Sequence, residues 1–228
     1  MSKVITKDNF RVWNEEMASK YNPDSFHKKS NFIIRWIEGL RIKDIIRELD
    51  PLDNDRILEV GCGAGNVMEK VRRGRIIGVD LSWSLAKIAL AKSAEKDIFV
   101  ADAQLLPFKD ASFNKVICSE VLEHVLDPDV VLREISRVLD RSGVVVITIP
   151  HERRINAIKK ILIKLGLFKL FESRHGYSVS RNMQDEWHIH SFKIGDFTKT
   201  MSKYYTICKA YPRPNMLLAL RYIIKARK

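Results

Sequence analysis

Between residues 32 and 49 apolar side chains return every three or four positions, at Phe32, Ile33, Trp36, Ile37, Leu40, Ile45, Ile46 and Leu49, and the pattern stops at Asp50-Pro51. That period predicts a helix, so residues 1–50 form a helical cap ahead of the main domain. From Arg56 the texture changes. Short apolar runs (ILEV, RIIGVD, DIFVAD, FNKVICS, GVVVITIP) alternate with helix-like pieces such as LSWSLAKIALAK and DVVLREISRVLD. Strands alternating with helices predict an α/β domain over residues 51–228, with parallel pairing and right-handed crossovers. A stretch from His151 to Trp187 interrupts the alternation, and two strand-like runs, YYTICKAY and LLALRYIIKA, close the chain around a Pro212–Asn215 turn.

Composition sharpens this picture in two ways. With 228 residues, 46% of them hydrophobic, the chain can bury one substantial core. Lys and Arg exceed Asp and Glu by 40 − 28 = 12, which suits an anionic partner or simply a lysine-rich surface. Three widely spaced cysteines, Cys62, Cys118 and Cys208, lack metal-type spacing and point to a reducing, cytoplasmic setting. No apolar run reaches the roughly 20 residues of a membrane span, and no signal peptide opens the sequence.

Candidate chemistry begins at the end of the first strand, in Glu59-Val-Gly61-Cys62-Gly63-Ala-Gly65. In an open α/β sheet the first strand-to-helix turn is where backbone approaches a ligand most closely, and glycines clear side chains from it. The third glycine arrives one position too early for the dinucleotide fingerprint. Asp80 ends the second strand, where a carboxylate can accept both ribose hydroxyls, and Asp102 ends the third, where it can accept an adenine amine. Each acid alone is better explained as a solvated loop carboxylate or a helix cap. Three such marks at successive strand ends imply a nucleoside ligand.

ILEVGCGAGN, GVDLS, VADAQLLPFKDASFNKVICSEVLEHVLDP and LREISRVLDRSGVVVITIP together resemble class I S-adenosylmethionine-dependent methyltransferases, of the type found in ubiquinone and menaquinone biosynthesis. The resemblance implies a Rossmann-like seven-stranded sheet of order 3-2-1-4-5-7-6, its last strand antiparallel, and S-adenosylmethionine as cofactor. It also implies cofactor contacts at Glu59, Gly61, Cys62, Gly63, Gly65, Asp80, Leu81, Asp102, Ala103 and Ser119. The glycine turn then faces the methionine part, whose carboxylate suits a helix N-terminus. Arg35 on the helical cap is a candidate partner for that carboxylate, or an exposed helix arginine.

After the fourth strand, Glu120-Val-Leu-Glu123-His124 stands where an acceptor should arrive. If these residues open a helix, Glu120, Glu123 and His124 surround one point and can hold Mg²⁺ or another divalent cation. Similar clusters occur in ubiquinone-pathway O-methyltransferases and in small-RNA 2′-hydroxyl methyltransferases; elsewhere in the family the histidine only shapes the pocket. Glu120 and His124 are therefore candidate catalytic groups. So are His188 and His190, which alternate on an extended segment beside Trp187, so that one faces the site while the other faces solvent.

The interruption at residues 151–187 completes the expectations. Arg153, Lys160 and Lys164 fall on one helical face and Ile155, Ile158, Leu162 and Leu165 on another. Such a segment is expected to be a lid over the acceptor, and its basic amphipathic character also suits an anionic membrane surface. The function implied is O- or C-methylation of a small or lipid-linked acceptor. An RNA methyltransferase and a non-catalytic, cofactor-binding regulatory subunit are the alternatives.

Overall fold

The computed structural model describes residues 5–24, 30–166, 186–215 and 219–228. Seven strands, β1 (Arg56–Val60), β2 (Arg75–Asp80), β3 (Asp97–Val100), β4 (Phe113–Ser119), β5 (Leu139–Pro150), β6 (Thr206–Arg213) and β7 (Arg221–Arg227), form one sheet of order 3-2-1-4-5-7-6. Pairing is parallel from β3 through β5, and β7 runs antiparallel to both β5 and β6. Six α-helices have both ends among the described residues: α1 (Lys7–Lys20), α2 (Phe32–Leu49), α3 (Trp83–Lys92), α4 (Pro128–Val138), α5 (Glu152–Lys164) and α6 (Ile194–Met201).

Alternation along the strands divides the core into two layers, because successive side chains leave a strand on opposite faces. Leu58, Val60, Val116, Cys118, Val145 and Ile147 pack on one side with Val131, Leu132, Ile135 and Val138 of α4. Ile57, Ile117, Val146 and Ile223 pack on the other with Ile45 and Leu49 of α2. Helix α4 has a defined start: Pro128 occupies its first turn, and the Asp127 side chain accepts from the N–H groups of Asp129 and Val130 at 3.0 and 3.3 Å. Burying its four apolar side chains contributes on the order of 1.5–3 kcal/mol each before entropic costs.

Helix α2 departs from its sequence pattern. Its N-terminal apolar residues face outward, with Phe32 73% and Trp36 54% exposed, whereas Glu38 and Asp44 are 5% and 0% exposed. The reason is compensation. Glu38 pairs with Arg221 at 2.6 Å, Asp44 with Arg213, and Glu48 accepts from Tyr211 at 3.1 Å and Lys209 at 3.3 Å. The β6–β7 hairpin thus offers cations along the line where α2 crosses it, and a buried carboxylate is tolerated where a partner is supplied. Only Ile45 and Leu49 of the predicted apolar face are fully buried.

Because α2 runs into β1 through a short connection, its first turns lie at the carboxyl end of the parallel strands. The turns that follow β1, β2, β3 and β4 open at the same end, and so does the start of α5. All of them border one cavity.

Candidate active site

The cavity measures about 400 Å³ and has two ends. At the first, Gly61, Cys62, Gly63, Asp80, Leu81, Asp102 and Ala103 form the wall. The three glycines all have positive φ, at 68°, 52° and 75° for Gly61, Gly63 and Gly65, but they do different work. A Cβ on Gly61 would meet Val121 Cγ2 at 2.2 Å, and one on Gly65 would meet Ala89 Cβ of α3 at 3.1 Å. A Cβ on Gly63 would meet only Pro23 Cγ, at 4.0 Å. Gly63 is therefore the glycine whose bareness leaves room for a ligand. Gly65 does not border the cavity, and its bareness serves the packing of α3.

Asp80 holds this turn together. Its Oδ2 accepts from Gly63 N–H at 2.7 Å and its Oδ1 from Ser82 N–H at 2.8 Å. Burial pushes its carboxyl up to about 6 against those two hydrogen bonds. Glu59, 2% exposed at the end of β1, is driven up to about 8 by burial, with the Arg41 charge opposing, so it is largely neutral at pH 7. Asp102 accepts from Gln104 N–H at 2.8 Å and stands at the cavity wall. The cysteines are unpaired.

Arg35 is exposed and lies outside the cavity, which corrects the expectation that it reaches the methionine end. Arg41, two turns further along α2, is the arginine at the wall. Its Nε donates to Glu38 Oε2 at 2.9 Å, and its Nη1 donates to Ser119 Oγ. Ser119 Oγ in turn lies 2.9 Å from Thr148 Oγ1, whose hydroxyl is 2.9 Å from Glu120 Oε1. A polar chain thus runs from Arg221 through Glu38, Arg41, Ser119 and Thr148 to Glu120. The sequence carried a signal for it: charged residues at 38, 41, 44 and 48 keep the same three- and four-residue period as a buried apolar stripe.

At the other end stand Glu120, Glu123, His124, Lys159, Trp187, His188 and Arg221. Residues 120–124 do not open a helix as expected; they form a turn, and Glu120 leaves β4 with a left-handed φ of 55°. The cluster of potential ligands differs accordingly. Glu123, His124 and His188 present ligand atoms within 4.8 Å of one another, and Glu120 is not among them. His190 is not at the cavity either. Its Nε2 donates to the carbonyls of Val125 and Leu126 at 2.9 and 3.2 Å, which makes it a clamp on the turn.

Both cavity histidines have their tautomers set by what Nδ1 meets. His124 Nδ1 donates to the Trp187 carbonyl at 3.1 Å, and His188 Nδ1 lies 2.8 Å from Glu152 Oε1. In His124 this leaves the ring lone pair on Nε2. Burial, then the nearby His188, depress His124 to about 3, so it is neutral at pH 7. Burial, then the neighbouring Glu120, hold Glu123 well above the usual carboxylate range, and neither of its oxygens has a hydrogen-bond partner. Sequence reasoning missed Glu152, which starts α5 in Ile-Pro-His-Glu and carries no recognisable motif.

Helix α5 borders the cavity through Ile155 and Lys159. Arg153, Lys160 and Lys164 are exposed, Ile155, Ile158 and Leu162 half-buried, and Leu165 exposed at 62%. Residues 167–185 of the expected lid lie outside the described residues.

Comparison with known proteins agrees with this geometry. A methyltransferase domain family matches residues 58–147. A ubiquinone biosynthesis O-methyltransferase of Ralstonia nicotianae is 30% identical over 164 residues, covering 64% of this chain and 67% of that protein. An uncharacterised protein of Methanocaldococcus jannaschii is 32% identical over 163 residues, 72% of this chain and 60% of its own. Magnesium protoporphyrin IX methyltransferase from Synechocystis PCC 6803, solved with bound S-adenosylhomocysteine, shares the fold with a TM-score of 0.67 at 16% identity, over 96% of this chain and 99% of that one. The chain spans between 54% and 67% of the length of the first curated relatives it matches. On sheet order, glycine turn, strand-end acids and these similarities, the chain belongs to the S-adenosylmethionine-dependent methyltransferases.

Proposed function

We propose that this protein transfers the methyl group of S-adenosylmethionine to a hydroxyl oxygen of a small or lipid-linked acceptor. The observation that carries the reading is a single cavity with nucleoside-type walls at Gly63, Asp80 and Asp102 and the Glu123–His124–His188 cluster at its other end. Relatives named ubiquinone biosynthesis O-methyltransferase favour oxygen over carbon as the acceptor atom.

Methyl transfer from a sulfonium is an in-line displacement, so the protein's main work is alignment and exclusion of water. In this reading Asp80 holds the ribose, Asp102 the adenine amine, and Arg41 the methionine carboxylate. The acceptor oxygen attacks the methyl carbon, the carbon–sulfur bond breaks with its electron pair staying on sulfur, and S-adenosylhomocysteine leaves. The hydroxyl proton passes to the Glu120 carboxylate. Helix α5 closes the acceptor end as a lid, with Ile155 and Lys159 turned inward.

The acceptor end also fits a divalent cation. Glu123 has two orphaned buried oxygens, and one ligand atom from each of Glu123, His124 and His188 lies within 4.8 Å of the others, while Nδ1 of His124 meets the Trp187 carbonyl and Nδ1 of His188 meets Glu152. Two imidazoles and one carboxylate suit Mn²⁺ or Zn²⁺ better than Mg²⁺, and partners on Nδ1 are the usual support of such ligands. Glu123, His124 and His188 would hold the ion, and a bound ion would acidify the acceptor hydroxyl.

The experiment is transfer of labelled methyl from S-adenosylmethionine to a prenylated catechol, with and without chelator. Labelled methyl ether that disappears with chelator and returns with Mn²⁺ supports both parts. Full transfer in excess chelator removes the ion and leaves the transferase. Label on carbon or on RNA alone replaces the acceptor assignment, and tight cofactor binding without turnover on any of these supports a regulatory subunit.

A further inference from the structure

Three apolar residues on α2 stand outside the core clusters of the described residues. Phe32, Ile33 and Trp36 are 73%, 49% and 54% exposed, and they lie on the first two turns of a helix whose Glu38 and Arg41 border the cavity. The charge on the same surface is one-sided. Every acid of α2, namely Glu38, Asp44 and Glu48, is turned inward and buried, whereas Arg35, Lys43 and Arg47 are exposed. The outer face of α2 is thus aromatic and aliphatic at its start and cationic along its length, with no exposed carboxylate.

Helix α5, which borders the same cavity, repeats the combination. Ile161, Ile163 and Leu165 are 57%, 42% and 62% exposed, beside exposed Arg153, Arg154, Lys160 and Lys164. Its one acid, Glu152, is directed at His188. Two helices flanking one opening therefore present apolar side chains among cations and no acids. A nucleic acid would use the cations but gains little from exposed Ile, Leu and Phe side chains on a helix. An anionic bilayer uses both, since aromatic and aliphatic side chains enter the headgroup boundary while Lys and Arg meet the phosphates.

We propose that the N-terminal turns of α2, together with the outer face of α5, dock the protein on an anionic membrane surface with the cavity mouth towards the lipid. This deepens the reading of the acceptor as lipid-linked and rests on that reading for its purpose, but docking is measurable without any acceptor. The membrane would deliver a long-chain acceptor between the two helices, which accounts for an aromatic start to α2 that lies outside the core of the described residues.

The test is co-sedimentation with vesicles of phosphatidylcholine and phosphatidylglycerol, set against vesicles of phosphatidylcholine alone. The wild-type chain sediments with the anionic vesicles and only weakly with the neutral ones. The double variant Phe32→Ser, Trp36→Ser lowers the partition coefficient about tenfold or more, the scale of withdrawing two large apolar side chains from lipid. Both residues are solvent-facing, so S-adenosylhomocysteine binding stays unchanged and reports that the variant is folded. Lys43→Glu, made separately, weakens binding to anionic vesicles alone. Absence of wild-type sedimentation with anionic vesicles overturns the proposal, as does equal binding of the double variant, or binding to RNA at physiological salt without vesicle binding. If docking holds but a long-chain prenyl catechol is methylated no better than catechol itself, the lipid-linked acceptor fails while the docking surface stands.

Discussion

Glu38 Oε1 lies 2.6 Å from Arg221 Nη2, while its other oxygen accepts from Arg41 Nε at 2.9 Å. One buried carboxylate therefore serves two guanidinium groups, both of which line the cavity. Arg221 Nε and Nη1 have no other hydrogen-bond partner, so its charge is compensated chiefly by Glu38. Removing one member of a buried ion pair is far costlier than the pair is worth, because the survivor stays buried and unpaired. Glu38→Ala is expected to destabilise the fold by about 3–5 kcal/mol in urea unfolding. A loss below about 1 kcal/mol, the size of a surface pair, would mean the two arginines find other partners.

Gly61 and Gly63 separate packing from ligand clearance. Gly61→Ala combines a left-handed φ with a Cβ driven into Val121, so it is expected to cost about 2–4 kcal/mol in stability. Gly63→Ala meets only Pro23 Cγ, at 4.0 Å, and costs about 1–2 kcal/mol from its φ. Its methyl nevertheless enters the cavity and should weaken S-adenosylhomocysteine binding more than tenfold. Unfolding curves and calorimetry on the two variants would show this division, and equal affinity in Gly63→Ala would contradict it.

How much of this was legible in the chain is clearest at the sheet. Strands β2 and β4 coincide with RIIGVD and FNKVICS, because a strand buried on both faces is a continuous apolar run that no surface contact can mask. The strand-end acids were legible because sheet topology fixes where strands end. Arg221 and Glu152 were not, since each acquires meaning from a partner far along the chain, Glu38 and His188 respectively, and the charged period of α2 marks Arg41 as buried without showing that it reaches Ser119 at the cavity. His190 was misassigned for the same reason: alternation identifies two faces but not which one holds the cavity. The apolar period of α2 predicted the helix correctly and its orientation wrongly, because periodicity cannot see that the neighbouring hairpin carries Arg213 and Arg221.

Glu59 makes stability fall as pH rises. Its folded carboxyl titrates at about 8 against an ordinary value of 4.5, so between those values the folded chain holds a proton that the unfolded chain has released. Stability is then greatest below about pH 4.5 as far as this group is concerned, and it declines by about 1.4 kcal/mol per pH unit up to about 8. Glu59→Gln removes that contribution. The difference in unfolding free energy between variant and wild type, followed from pH 5 to pH 8, should grow steadily in favour of the variant. A flat difference would place Glu59 in its ionised form.

Asp80 governs the cofactor end through two acceptor oxygens. Asp80→Ala is expected to weaken S-adenosylhomocysteine binding by about 1.5–3 kcal/mol, the loss of hydrogen bonds to a charged group. Because its carboxyl titrates at about 6, wild-type affinity should decline as pH falls below that value and the acid becomes protonated. The variant should lack this dependence. An unchanged dissociation constant in the folded variant would move the ribose contact elsewhere.

The most direct measurement is a crystal structure of the protein with S-adenosylhomocysteine. The account predicts the ribose hydroxyls on Asp80, the adenine beside Asp102 and Ala103, the amino-acid carboxylate near Arg41, and the sulfur facing the space bounded by Glu123, His124 and His188. A ligand whose ribose avoids Asp80, or whose sulfur points away from that cluster, would contradict it.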